Sequence, residues 1–425
     1  MTEFSFKTQP YKHQKETFVA SRDREYFALF LEQGLGKTKI VLDTAAWLML
    51  CGKIDRLLIA APNGVHTNWI KNEVPTHLVC ESESYIWDGP PGVKKGRRLN
   101  EVISGPCDGK LRILAMNIEA LRTDRGFRAA QAFLLGGPGL MCVDESTSIK
   151  SIHAEQTKAA IGLGTLARFR RTLTGTPMSQ NPIDVYSQCK FLKDTALPIR
   201  TLTAFKASFA MEELCSFHNR TFKKIVGFRN LDMLGRMLAD FSIRLEKKDC
   251  LDLPEKIYTT RYVEMTPEQA SIYKAVKDKA LVMLSQGTLT TTTALAIAGK
   301  CAQITTGFVY NDDKTAVEIK NHRIAAMLDV IEDGDGKFII WCPFLHNVKM
   351  VRAALAEKYG HESVVTYEGA TSLEDRDDAV FRLQNVDSCR FFVCTEAASR
   401  GLTLTAACNA IYYGNKSKLE ARLQS

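Results

Sequence analysis

A lysine and a threonine directly follow a glycine-rich turn in LEQGLGKTKIV, residues 31–41. An apolar run, YFALFL, ends at Leu31, and a helical pattern opens at Lys37 and Thr38. Glycines at 34 and 36 let backbone N–H groups close around phosphate oxygens, and a helix N-terminus adds partial positive charge. Lys37 is then placed to reach the β- and γ-phosphates of a nucleotide, and the Thr38 hydroxyl to hold Mg²⁺. The strict GxxxxGK[ST] spelling fails, because Leu31 stands where its first glycine belongs. The shorter core Gly34, Gly36, Lys37, Thr38 survives.

A second group suits the same chemistry. GLMCVDES places Asp144 and Glu145 just past an apolar strand. At that edge of a parallel sheet an aspartate can hold a Mg²⁺ shell while its neighbour polarises the attacking water. Alone, the pair would read as a helix cap. RRTLTGTPMSQN then sets Thr174, Gly175, Thr176 and Pro177 at another strand end, where hydroxyls and a tight turn can sense the acidic pair.

These groups need a sheet to position them. Apolar runs at 26–31, 56–62, 112–117 and 139–143 alternate with helical patterns, which predicts a parallel sheet covered on both faces. Residues 194–244 lose the alternation and read as helices through FKASFAMEELCSF and LDMLGRMLADF. EKKDCLDLPEK reads as a crossing between domains. A second helical stretch, about 266–310, has Thr266 as its N-cap. Alternation then resumes with KFIIWCPF, VVTYEG, CRFFVCT and AIYYG. The expected organisation is a first lobe over 1–245, a linker over 246–265 and a second lobe over 266–425.

Composition narrows the class. Of 425 residues, 45% are hydrophobic and 24% charged, the balance of a globular protein. Net charge of +8 permits a nucleic-acid partner without requiring one. The twelve cysteines are scattered, with no CxxC pair or zinc-like cluster, which points to reduced, buried thiols. No apolar run reaches membrane-span length, and the N-terminus lacks a signal core. A soluble, cytoplasmic protein is expected, with a nuclear location left open. Trp69 and Trp341 read as core residues, His13 and His66 as loop polar groups, and KKGRR (94–98) as a solvated face.

Taken in order, the motifs resemble superfamily-two nucleic-acid motors, specifically the Swi/Snf-like double-stranded DNA translocases. PYKHQ (10–14) is similar to the adenine-reading segment, with Gln14 in the reading position. EQGLGKT, LLIAAPNGVHTNW (57–69), NIEAL (117–121), DESTSIKS (144–151) and LTGTP resemble successive motifs of the first lobe. FSIRLEKKDCLDLPEK (241–256), YEGATSLEDR (367–376) and CTEAASRGLTLTAACNAIYY (394–413) resemble later ones.

The resemblance implies an α/β fold of two RecA-like parallel-sheet lobes with helical insertions and an ATP cleft between them. It implies ATP and Mg²⁺ as cofactors, with Lys37, Asp144 and Glu145 catalytic and Gln14, Gly34, Gly36, Lys37 and Thr38 on the nucleotide. Thr38 and Asp144 would hold Mg²⁺. Double-stranded DNA is the implied partner, gripped at its phosphates by basic loops near 62–68 and 369–371, with Thr395 and Thr403. The compact build resembles phage or bacterial members. The family's sixth motif, whose arginines complete the ATP site, is missing after Ser425, and Arg400 and Arg422 do not match it. A strand-separating helicase and an ATP-switched binding module are the alternative readings.

Overall fold

The computed structural model describes residues 4–414, apart from 91, 106–107, 179–180, 218–219, 253–255, 287–289, 312, 370, 396–397, 399–401 and 403. The chain divides into two compact units, Met1–Glu255 and Lys256–Ser425, so the division falls inside the 246–265 segment.

Six strands of the first unit's seven-stranded sheet are β1 Tyr26–Leu31, β2 Arg56–Ala61, β3 Ser82–Trp87, β4 Leu111–Asn117, β5 Gly139–Asp144 and β6 Phe169–Leu173. A hairpin of β7 Ala210–Phe217 and β8 Arg220–Phe228 precedes β9 Ser242–Leu245. The sheet runs β3-β4-β2-β5-β6-β1-β9, and each pairing in it is parallel. Alternate residues of β1 feed opposite faces. Ala28 and Phe30 join one core with Leu58, Ala60, Met141 and Val143. Phe27, Leu29 and Leu31 join the other with Leu57, Ile59 and Cys142. Burial on both faces is why these strands read as continuous apolar runs.

Two departures have plain causes. β3 escapes the sequence pattern because it is an edge strand, SESYIW, with only Tyr85 and Trp87 fully buried. Residues 194–244 are not all helical: helices Leu202–Phe209 and Leu231–Ala239 flank the β7–β8 hairpin. AMEELCSF is rich in good helix formers, but cross-strand pairing with RTFKKIVGF overrides that weak preference.

In the second unit, helices Pro267–Ser285 and Thr291–Thr305 come first. Thr266 caps the former, its hydroxyl accepting from the Gln269 N–H (3.2 Å) while its own N–H donates to Gln269 Oε1 (3.1 Å). A short antiparallel pair follows, β10 Phe308–Tyr310 with β11 Ala316–Glu318. The parallel sheet is β13-β14-β12-β15, from β12 Lys337–Trp341, β13 Val364–Tyr367, β14 Phe391–Cys394 and β15 Ala407–Tyr412. No described helix is long and apolar enough to cross a membrane.

Candidate functional site

β5, β6 and β1 are adjacent and parallel, so the chain leaves all three at one edge of the sheet. Register pairs Asp144 with Leu173 and Leu29 with Leu173. The glycine-rich loop, the acidic pair and the Thr174–Thr176 turn therefore emerge side by side. A Cβ on Gly175 would stand 3.3 Å from the Leu31 carbonyl oxygen and 3.4 Å from the Gln33 nitrogen. The turn thus lies directly against the loop.

The loop has the geometry its glycines permit. Gly34 and Gly36 have φ of +85° and +80°, a region that side chains avoid. A Cβ on Gly36 would also collide with the Gln14 amide. The helix Lys37–Leu50 starts there. The Lys37 ammonium is buried and donates to the Leu31 carbonyl oxygen at 3.0 Å. It makes no ion pair with a described carboxylate within salt-bridge distance. A buried cation whose hydrogen-bond partner among the described residues is a carbonyl, at a helix N-terminus, could take an anion. Thr38 is half-buried beside it.

Gln14 sits on the first helix, Lys12–Ser21, and packs onto the same loop. Its Oε1 accepts from the Tyr11 N–H at 3.0 Å, and its Nε2 donates to the Leu35 carbonyl at 3.4 Å. His13 reaches that carbonyl too, through Nε2 at 3.1 Å. His13 and His66 are thus not loop groups: both are buried on helices, and His66 Nδ1 lies 3.4 Å from the Pro62 carbonyl. Burial pulls His66 below the usual imidazole range.

Asp144 is 6% exposed. Its Oδ2 accepts from the Trp69 indole N–H (2.9 Å) and its Oδ1 from the Glu145 backbone N–H (2.9 Å). Burial pushes its carboxyl above the usual range, opposed by the Trp69 hydrogen bond and the Lys37 charge. Each oxygen holds one partner and retains a further lone pair. With the Thr38 hydroxyl this is a hard-oxygen donor set of the type Mg²⁺ takes, completed by waters and substrate phosphate. Glu145 is held at φ 45°, in the left-handed region, which turns the chain sharply after Asp144 and leaves its side chain half-buried. Thr174 Oγ1 accepts from the Thr176 N–H at 3.1 Å. The Thr176 hydroxyl is buried with no hydrogen-bond partner among the described residues.

Two contacts were invisible in sequence. Trp69 is core, at 1% exposed, yet its indole is also the donor to Asp144. Arg171 is buried in β6, its guanidinium donating to the carbonyls of Ser21 (2.7 Å), Arg24 (2.8 Å) and Arg170 (2.8 Å). Burial pulls it down to about 10. It ties the end of the Gln14 helix to the sheet. The Asn-Trp spelling carries no local sign of the first contact, whose partner lies 75 positions away.

The 62–68 loop corrects one expectation. Neither it nor 369–371 contains Lys or Arg, so neither is basic, and Val65–Asn68 form a short helix. In the second unit, β13 and β14 end together, with the Thr395 N–H donating to the Tyr367 carbonyl at 3.3 Å. Arg376 lies 5.2 Å over the Tyr367 ring and donates to the Gly369 carbonyl at 2.5 Å. Trp341 packs in the core, stacked on Tyr412. The KKGRR run lies on the helix Val93–Ser104, where exposed Arg98 pairs with Glu83 and Glu101. The described cysteines are free thiols, and Cys142, Cys189, Cys342, Cys389 and Cys394 are buried. Thr403, Arg400 and Arg422 lie outside the described residues.

Residues 13–306 match the SNF2-related domain, and residues 320–425 match the helicase conserved C-terminal domain. A Bacillus subtilis protein, YwqA, whose name proposes an ATP-dependent helicase/translocase, is 25% identical over 64% of this chain and 29% of its own length. A Xenopus laevis SWI/SNF-related regulator of chromatin, subfamily A-like protein 1, is 24% identical over 94% of this chain and 37% of its own. The chain therefore spans well under half the length of these curated relatives. A solved Sulfolobus solfataricus SWI2/SNF2 ATPase core in complex with dsDNA is similar over 97% of this chain and 83% of that one, with 22% identity and a TM-score of 0.48. With its larger domain model spanning 13–306 and a helicase C-terminal domain after it, the chain belongs to the SNF2-related family.

Proposed function

We propose that this protein is an ATP-driven motor that moves on double-stranded DNA. What supports this most is the convergence of Lys37, Asp144 and the Thr174–Thr176 turn at the ends of three neighbouring parallel strands. Gln14 reads the adenine, and the amides around Gly34 and Gly36 take up the phosphates. Lys37 neutralises charge on the β- and γ-phosphates. Thr38 and Asp144 hold Mg²⁺, which when bound offsets charge developing on the transferred phosphoryl group. Glu145 orients the attacking water and accepts its proton. Family membership and the GLGKT and DESTSIK spellings favour a duplex track over a separated strand. In the finer reading, hydrolysis closes and reopens the two lobes, which grip backbone phosphates in turn. Such contacts give affinity with little sequence preference.

Phosphate release measured with duplex DNA, single-stranded DNA and RNA tests the reading. Duplex is expected to stimulate most, and affinity for it to fall with salt at a log–log slope of roughly −0.9 per phosphate contact. Greater stimulation by single strands or RNA would replace the duplex motor with a strand-separating helicase. Nucleotide binding without turnover on any polymer would leave an ATP-switched binding module.

A further inference from the structure

Behind the site lies a buried amide that the family motifs do not explain. Gln188, on the helix Val185–Leu192, is 0% exposed. Its Oε1 accepts from the Ser146 hydroxyl at 2.7 Å. Its Nε2 donates to the Pro177 carbonyl at 2.9 Å and to the Asp184 carbonyl at 2.9 Å. Ser146, itself fully buried, is two residues beyond Asp144. Pro177 immediately follows Thr176. One side chain therefore bonds the turn after the acidic pair and the turn after the coupled threonines. The neighbouring Ser187 reinforces the first arm, its hydroxyl donating to the Ile149 carbonyl at 2.6 Å.

We infer that Gln188 is a positioning residue that transmits the state of the acidic pair to the Thr174–Thr176 turn, and with it to the nucleic-acid track. This rests on the motor reading given above. A buried amide with both ends satisfied is costly to break on one side only, because the partner left behind is unpaired in a low-dielectric interior. The two turns are thus not free to move separately. A shift of the Glu145–Ser146 corner on binding or hydrolysis of nucleotide is carried through Gln188 to Pro177. The path is short: Asp144, Ser146, Gln188, Pro177, Thr176. Neither Gln188 nor Ser146 is placed to touch nucleotide chemistry, so breaking the bridge removes communication and spares the site.

Two variants interrupt it from opposite sides. Gln188→Met keeps the length of the side chain and removes its hydrogen bonds. Ser146→Ala removes one oxygen. In each, the ratio of duplex-stimulated to basal ATP turnover is expected to fall by about threefold to thirtyfold, the usual range for a residue that carries coupling. The KM for ATP stays within about twofold, and the double variant is no worse than the more affected single, since both break one bridge. Amide exchange gives an independent reading. A non-hydrolysable ATP analogue should protect residues 174–178 in the wild type but not in Gln188→Met. Lowered melting temperatures with an unchanged stimulation ratio and unchanged protection would make Gln188 a strut only and overturn the inference. If the wild type shows no stimulation by duplex, the motor reading fails, and the exchange result alone then decides for or against the bridge.

Discussion

The two sheets end differently. At the edge of the first, Lys37, Asp144 and Thr174 are buried and each is fixed by hydrogen bonds to backbone or indole. At the edge of the second, Thr395 is buried too, but Gly369 is exposed, Thr371 is half-buried, and Arg376 lies over the Tyr367 ring and donates to the Gly369 carbonyl. The first edge is organised before any ligand arrives, which is what electrostatic work on a phosphate requires. Among its described residues the second is the more exposed of the two. Chemistry is thus expected to fail steeply with single changes in the first unit, and only gradually with changes in the second.

Glu145→Gln is expected to give one of the two largest breaks, with Lys37→Ala. The amide keeps shape and hydrogen bonding but cannot take a proton. ATP affinity should be retained while hydrolysis falls by about 10²–10⁴. Binding by a fluorescent ATP analogue, with phosphate release measured in parallel, separates the two. Loss of binding with unchanged residual turnover would make Glu145 structural.

Trp69→Phe sharpens the comparison from one layer back. The ring still fills its site, but Asp144 loses a charge-assisted donor at 2.9 Å. The Mg²⁺ concentration needed for half-maximal binding of the analogue should rise by about 10- to 100-fold, the usual cost of losing a group that orients a metal ligand. An unchanged Mg²⁺ dependence would reduce Trp69 to packing.

The smallest effect belongs to the second unit. Thr395→Ala should weaken duplex binding at fixed salt by about two- to tenfold, the worth of one hydrogen bond, and leave ATP affinity alone. A hundredfold loss, or a loss of nucleotide binding, would erase the contrast between the two edges.

How much of this could be read in advance follows the same division. The glycine-rich loop was legible because consecutive residues specify it: GLGKT between an apolar run and a helix sets its own turn. The parallel sheet was legible because strands covered on both faces are apolar throughout. The edge strand SESYIW was not, having one poorly covered face, and AMEELCSF was misread because pairing outweighed composition. The supports behind the site were illegible for a different reason. Trp69 meets Asp144, Gln188 meets Ser146 and Arg171 meets Ser21 across 75, 42 and 150 positions. No local pattern encodes such partners, since a tryptophan, a glutamine or an arginine can satisfy itself in many folds.

The central claim is that the buried ammonium of Lys37 serves a phosphate rather than the core. In Lys37→Ala the hydrogen bond lost among the described residues is to the Leu31 carbonyl. The loss of the Lys37 charge near Asp144 is offset by no longer burying an ammonium, so unfolding free energy should change by only about 1 kcal/mol. ATP turnover should fall by at least about 10²–10³, the cost of removing one preorganised charge-stabilising group. Phosphate release on protein whose melting curve matches the wild type decides it. Loss of turnover with folding intact is the predicted result; near-wild-type turnover in the folded variant would contradict the account.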